Sequence, residues 1–247
     1  MLQYSKAFFG LQTDFAATAA TLTGATLAQA LLDHTNLYVR FGLGRGFDGA
    51  HPAWRRYVDG LSQAPDRADW TYRFYLAQVD RAPPPAPHER FGCFSYEVQD
   101  AGCVRIHFAN ADPLAVSPLG IERLPARLRE LRALFAHVRR HHRAAVRVVG
   151  TSWLHNLRAY QRCFPPGYAA SATVAAAKFR HLPLWGQFLD RHGAVRADRA
   201  EDFMRRLSRA TAPQHLAPCF PLQALAVDAP VVAFYRFYGL DDLHGAT

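Results

Sequence analysis

The chain has 247 residues, half of them hydrophobic, with a formal net charge of +9 at pH 7. That length and composition exclude a disordered segment and a small disulfide scaffold, and allow one large domain or one domain with an extension. The charge is nearly all arginine, since only Lys6 and Lys178 are lysines; it reads as a solvated face with some anion binding rather than as a nucleic-acid-binding surface.

The alternation in residues 2–9 predicts a short strand, and Phe15, Ala19, Leu22, Leu27 and Leu31 predict a helix over 15–33 with Asp14 as its cap. A glycine-rich loop at 42–49 separates a possible short strand, 37–41, from a helix at 51–61. The aromatic run 70–79 predicts a strand by composition. Four prolines in 81–90 predict an extended surface connection. The segments FGCFSYEV and CVRIHFAN, joined by QDAG at 99–102, predict a hairpin.

After Ser117, Leu124, Leu128, Leu131 and Leu134 keep helical period, with arginines on the other face and RRHH at 139–142 closing the helix. AAVRVVG is the next strand, and HNLRAYQRCF is a helix stopped by Pro165 and Pro166. Helices at 183–191 and 198–209, a strand at 221–227 and a helix at 229–238 complete the reading. Strand, helix, strand over 103–151 predicts a parallel pair joined by a crossover. Ligands gather beyond the carboxyl ends of such strands. Asn110 and Asp112 follow one of them, and Ser152, Trp153, His155 and Asn156 the other.

The four cysteines, Cys93, Cys103, Cys163 and Cys219, lack C-x-x-C spacing, so neither a zinc site nor a disulfide framework is indicated. Cys93 and Cys103 are placed to face each other across the hairpin, but reduced buried thiols are the preferred reading. His107 reads as a hydrogen-bonded histidine at a pocket edge, with no second histidine at ligand spacing, and no metal is expected. No apolar run is long enough to span a bilayer, and Asp14 interrupts the one segment that resembles a signal peptide. The expected location is the cytoplasm, with no membrane partner and an open oligomeric state.

Several short motifs fit their contexts poorly. GRGFDG (44–49) matches a dinucleotide-binding pattern but lacks the βαβ unit and the acidic residue that pattern needs. DRHG (190–193) is read as a glycine cap. GTSWL (150–154) approaches a nucleophile elbow, but Leu154 stands where a small residue is required. A serine hydrolase using Ser152, with an acid from Asp190 or Asp228 and a histidine from His215 or His244, stays open as an alternative.

Asn156, Ala159, Cys163, Gly167 and Tyr168 form N-x-x-A-x-x-x-C-x-x-x-G-Y. This resembles a late motif of the GNAT superfamily of N-acyltransferases, in which a tyrosine stands where this chain has Cys163. The predicted element order over 1–180 is similar as well. A related pattern at 228–240, DAPVVAFYRFYGL, lacks a following strand and reads as a C-terminal helix.

The resemblance implies an α/β fold with a splayed mixed sheet over 1–180, with 181–247 as a mostly helical extension. It implies acyl-CoA as co-substrate, lying where the strands at about 103–109 and 145–151 part. It places the family's pyrophosphate loop at SPLGIE (117–122), so that Ser117, Gly120 and Arg123, with Ser152 and Asn156, become cofactor-binding candidates. Glu122 departs from the family pattern, because a carboxylate there opposes a pyrophosphate. His107 and Glu97 are candidate bases, Tyr160 and Cys163 candidate proton donors, and Asn110, Asp112 and Trp153 candidate substrate contacts. The implied activity is acyl transfer to an amine; the alternative is a non-catalytic module binding an anionic ligand or nucleic acid.

Overall fold

The computed structural model describes residues 4–79, 89–99, 102–112, 116–175 and 182–241. In chain order the helices are α1 (Lys6–Thr23), α2 (Leu27–His34), α3 (Leu37–Arg40), α4 (Pro52–Gln63) and α5 (Arg67–Val79). Three strands follow: β1 (Arg90–Phe91), β2 (Phe94–Gln99) and β3 (Cys103–Phe108). Then come α6 (Leu124–His141), β4 (Arg147–Ser152), α7 (Arg158–Gln161), α8 (Pro166–Ala170) and β5 (Thr173–Val174). The chain closes with α9 (Ala197–Leu207), β6 (Leu225–Pro230) and α10 (Val231–Phe237). The fold is mixed α/β, as expected. Contacts divide the chain into two units, 1–84 with 176–223 and 85–175 with 224–247, a division different from the expected break after residue 180.

The first unit is helical, and local pattern misleads most there. Residues 2–9 alternate like a strand, yet Phe8 and Phe9 are both fully buried. Alternation would send one of two neighbours to solvent, whereas the apolar stripe of a helix takes both, together with Leu11, Gln12, Phe15, Ala16 and Ala19. Asp14 therefore lies inside α1, whose cap position is Ser5, and the helix ends at Gly24 in left-handed conformation. Thr26 caps α2 by accepting the Gln29 N–H.

The aromatic run 70–79 is α5, not a strand. Thr71, Phe74 and Tyr75 are buried at helical spacing, and Asp66 accepts the Asp69 N–H as a cap. Residues 37–40 are likewise helical, so no strand precedes the glycine loop. Helix α4 falls where expected. The predicted helix 183–191 is instead a 3₁₀ segment, Leu182–Phe188. Gly193 has the predicted left-handed conformation, but it serves a turn in which Asp190 Oδ1 accepts the N–H groups of His192 and Ala194. Phe15, Trp185, Phe188, Phe203 and Phe220 form one aromatic cluster of this unit.

The second unit is built on a six-stranded sheet of order β1-β2-β3-β4-β6-β5. β2 and β3 form the predicted antiparallel hairpin; Asp100 and Ala101 of its turn lie outside the described residues. β3 and β4 are parallel, as expected, and the other pairs are antiparallel. β6 starts four residues later than the predicted strand and enters the sheet between β4 and β5, so part of the expected helical extension belongs to this sheet. One face of the sheet, with Phe94, Val104, Ile106 and Val148, is buried with Leu131, Leu134, Phe135 and Val138 of α6 in a single core. Alternation puts Ser95, Glu97, Cys103, Arg105, His107 and Thr151 on the other face. Cys93 and Cys103 lie at opposite ends of the hairpin, because Phe94 pairs with Phe108 and Gln99 with Cys103; all four cysteines are free.

Among the described residues no single helix is long and apolar enough to cross a membrane. The prolines at 83–85 and 87, and His244, lie outside the described residues.

Candidate active site

The parallel ladder between β3 and β4 holds three pairs, Cys103–Arg147, Val104–Val148 and Arg105–Val149. Both strands then run on for three residues without pairing to each other. Ile106–Phe108 stays bonded to β2 on its far side, and Gly150–Ser152 to β6. The facing backbone edges beyond Arg105 and Val149 are thus not spent on one another, in the middle of a sheet where such groups normally find partners.

A row of rings bridges this parting on the helix-packed side. Phe108 packs edge-on against Tyr160 at 5.7 Å, Tyr160 against His155 at 5.1 Å, and His155 against Tyr168 at 5.7 Å. The row closes on β4, where Tyr168 Oη and His155 Nε2 lie in the space a side chain on Gly150 would need. A glycine inside a strand marks such an approach. His155 is buried, and burial pushes its pKa down to about 4, so it is neutral at pH 7. Burial raises the pKa of Tyr160 and Tyr168 well above the ordinary phenol value, so both stay protonated.

On the opposite face, His107 Nε2 lies 3.3 Å from Glu97 Oε2. The antiparallel register of β2 and β3 makes them diagonal neighbours, since Glu97 pairs with Arg105 and Ser95 with His107. The two candidate bases are therefore brought together. Of the two candidate donors, Tyr160 stands beside the parting of the strands, whereas Cys163 is turned into the core. Its thiol donates to Ala159 O at 3.7 Å, Tyr238 Oη donates to its carbonyl at 2.7 Å, and burial pushes its pKa up to about 11.

Ser152 Oγ accepts the Leu154 N–H at 3.1 Å and so caps the 3₁₀ turn Trp153–Asn156. Asn156 Nδ2 donates to Trp153 O at 2.8 Å within that turn. Of the acids and histidines suggested for a Ser152 nucleophile, Asp228 pairs with Arg147, Asp190 accepts the His192 and Ala194 N–H groups, His215 accepts the Thr211 N–H, and His244 lies outside the described residues. Asn110 Oδ1 accepts the Asp112 N–H at 3.3 Å. Trp153 is half-buried.

The loop before α6 gathers the remaining candidates. Gly120 N–H donates to Ser117 O, and Arg123 N–H to Gly120 O. Arg123 Nε donates to Asp112 Oδ2 at 2.7 Å, and Arg127 Nη2 reaches the same oxygen at 3.1 Å. Arg127 Nη2 also bonds Glu130 Oε1 at 2.7 Å, and its other amino group points at Cys93 Sγ. Arg127, 2 % exposed, and Asp112, whose side chain is fully buried, thus form the centre of a paired ionic cluster. Sequence reasoning named Asp112 and Arg123, placed His155 beyond the strand end and Tyr168 in the motif without a site role, and missed Arg127 and Glu130. The local signal that His155 and Tyr168 close on the strand was Gly150 in an otherwise β-branched run.

Among the described residues no group of three His, Cys, Asp or Glu side chains is arranged to hold a metal ion. No family model matches this chain, and no curated protein and no solved structure matches it.

Proposed function

We propose that the second unit is a GNAT-like N-acyltransferase, moving an acyl group from a pantetheine thioester, acyl-CoA being the familiar form, to a small-molecule amine. The observation that carries this reading is the β3–β4 ladder that stops at Arg105–Val149 while both strands continue. The two edges, which do not pair with each other beyond Arg105 and Val149, can offer N–H and C=O groups to the amides of a pantetheine arm, and an N–H there polarises a thioester carbonyl. The strand order supports it too: an antiparallel hairpin, one parallel pair joined through a long helix, and a last strand inserted between β4 and β5.

A thioester lying between the strands has different chemistry on its two sides. On one side Glu97 and His107 accept the proton that an ammonium must lose before its nitrogen attacks the carbonyl carbon. The C–N bond forms, the C–S bond breaks, and the nitrogen releases a second proton, which balances the one that Tyr160 gives to the leaving thiolate and regains from solvent. The leaving thiolate takes a proton from the other side, where burial keeps Tyr160 protonated. Cys163 is a core residue in this reading, and Tyr160, one turn earlier, takes the donor role.

The test is a thermal shift with acetyl-CoA, longer acyl-CoAs, free CoA and acetyl-pantetheine, followed by an amine-acceptor screen. A ligand that binds only the native state raises Tm. E97Q and H107A are each expected to lower turnover by about 10²-fold or more, the contribution of a positioned base. No shift with any thioester at saturation refutes the reading.

A further inference from the structure

The acyltransferase reading places the diphosphate of a CoA donor at the loop 117–122, before α6. That loop is already filled with the chain's own groups. The Glu122 carboxylate is folded over Gly120, in the space that a side chain on Gly120 would occupy. Arg123, which follows the loop in sequence, is held by the buried carboxylate of Asp112 at 2.7 Å. Arg127 is 2 % exposed and shared between Asp112 and Glu130. The N–H groups of Gly120, Arg123 and Leu124 donate to Ser117 O, Gly120 O and Ile121 O. Arg162, an exposed residue of the segment after β4, donates from Nη2 to Leu119 O at 3.3 Å, which ties that side chain to the loop's own backbone. These donors each have an internal acceptor, the Glu122 carboxylate lies over the loop, and the Asp112 carboxylate holds Arg123 and Arg127.

We propose that this chain recognises its acyl donor by the pantetheine thioester alone, and that Asp112 and Glu122 make the loop a position that takes no phosphate. The inference rests on the acyltransferase reading and narrows its substrate class. The nucleotide end of CoA then gains nothing from the protein: it stays in solvent, or it is absent because the pantetheine arm is carried by something else. Helix N-termini favour anions through free N–H groups and the helix dipole. Here the N–H groups of Gly120, Arg123 and Leu124 already have acceptors within the loop, and the Glu122 carboxylate over Gly120 opposes a second anion.

Isothermal titration of the full chain compares acetyl-pantetheine, acetyl-CoA, acetyl-pantetheine with millimolar inorganic pyrophosphate added, and pyrophosphate alone. The expected result is affinity for the two thioesters within about threefold of each other, no heat from pyrophosphate and no competition by it. Acetyl-CoA binding about tenfold or more tighter than acetyl-pantetheine, or measurable pyrophosphate binding, overturns the inference and leaves the acyltransferase reading standing. Binding of neither thioester removes both. The exposed substitution E122Q, and D112N with it, is expected to shift preference toward acetyl-CoA. An unchanged ratio in a double variant that still melts cooperatively counts against the assignment to these two carboxylates.

Discussion

Gly150→Ala is the sharpest probe of how the ring row meets β4. Gly150 is buried at the centre of the sheet, and its φ is not positive, so alanine is conformationally allowed there. By restricting the unfolded chain alone, the change would stabilise by about 0.4–1 kcal/mol. The new Cβ, however, would stand 2.5 Å from Tyr168 Oη, 3.0 Å from His155 Nε2 and 3.2 Å from Val227 Cγ2. Tyr168 cannot swing aside, because its ring is held among Phe164, Phe234 and His155 at centroid distances of 5.4, 4.9 and 5.7 Å. Overpacking of this kind costs about 1–3 kcal/mol. The two effects leave a net loss of about 1–2 kcal/mol. In urea, with a slope of about 1–3 kcal/mol per molar, that lowers the unfolding midpoint by roughly 0.3–2 M. Adding Y168F removes the nearest atom and is expected to restore most of the loss. Near-UV circular dichroism through the unfolding transition measures both. A G150A chain as stable as the parent, or a double variant no better than G150A, would refute the argument.

Three further outcomes are expected. The folded-state pKa of His155 lies near 4, against an ordinary value of 6.5, so between these pH values the unfolded chain binds the extra proton. Its contribution, about 3 kcal/mol, is fully present above pH 6.5 and is lost as pH falls toward 4; H155N should flatten that part of a stability-against-pH curve, and an unchanged slope would mean the ring is protonated in the folded chain. R127M should cost about 3–5 kcal/mol in denaturant unfolding, since it leaves Asp112 and Glu130 with less compensation for their burial; a loss below about 1 kcal/mol would show that the cluster is solvated. Phe135 stacks on Phe234 at 4.6 Å and Tyr238 at 5.4 Å with no exposure, so F135A should cost about 3–5 kcal/mol and lower Tm by several degrees.

Local pattern was enough to set the central part of the second unit. The hairpin around QDAG, the leucine period of α6 and the β-branched run of β4 each depend on neighbours two to four residues apart, and each stands where the sequence predicts it. The same hairpin brings Glu97 and His107 together on adjacent strands, because a hairpin register follows from its turn. The first unit was not legible in this way. Residues 2–9 and 70–79 carry aromatic and alternating patterns that suit a strand, yet α1 and α5 are helices that pack together, with Phe9 against Tyr72 at 6.1 Å and Tyr75 at 4.8 Å. Only the folded arrangement decides that β6 enters between β4 and β5, that Arg127 is buried against Asp112 and Glu130, and that Tyr168 reaches back to Gly150. Apart from the one-turn pair Arg127–Glu130, these contacts join residues 15 to 83 positions apart, and local sequence carries no record of which distant group will satisfy a buried charge or fill the space over a glycine.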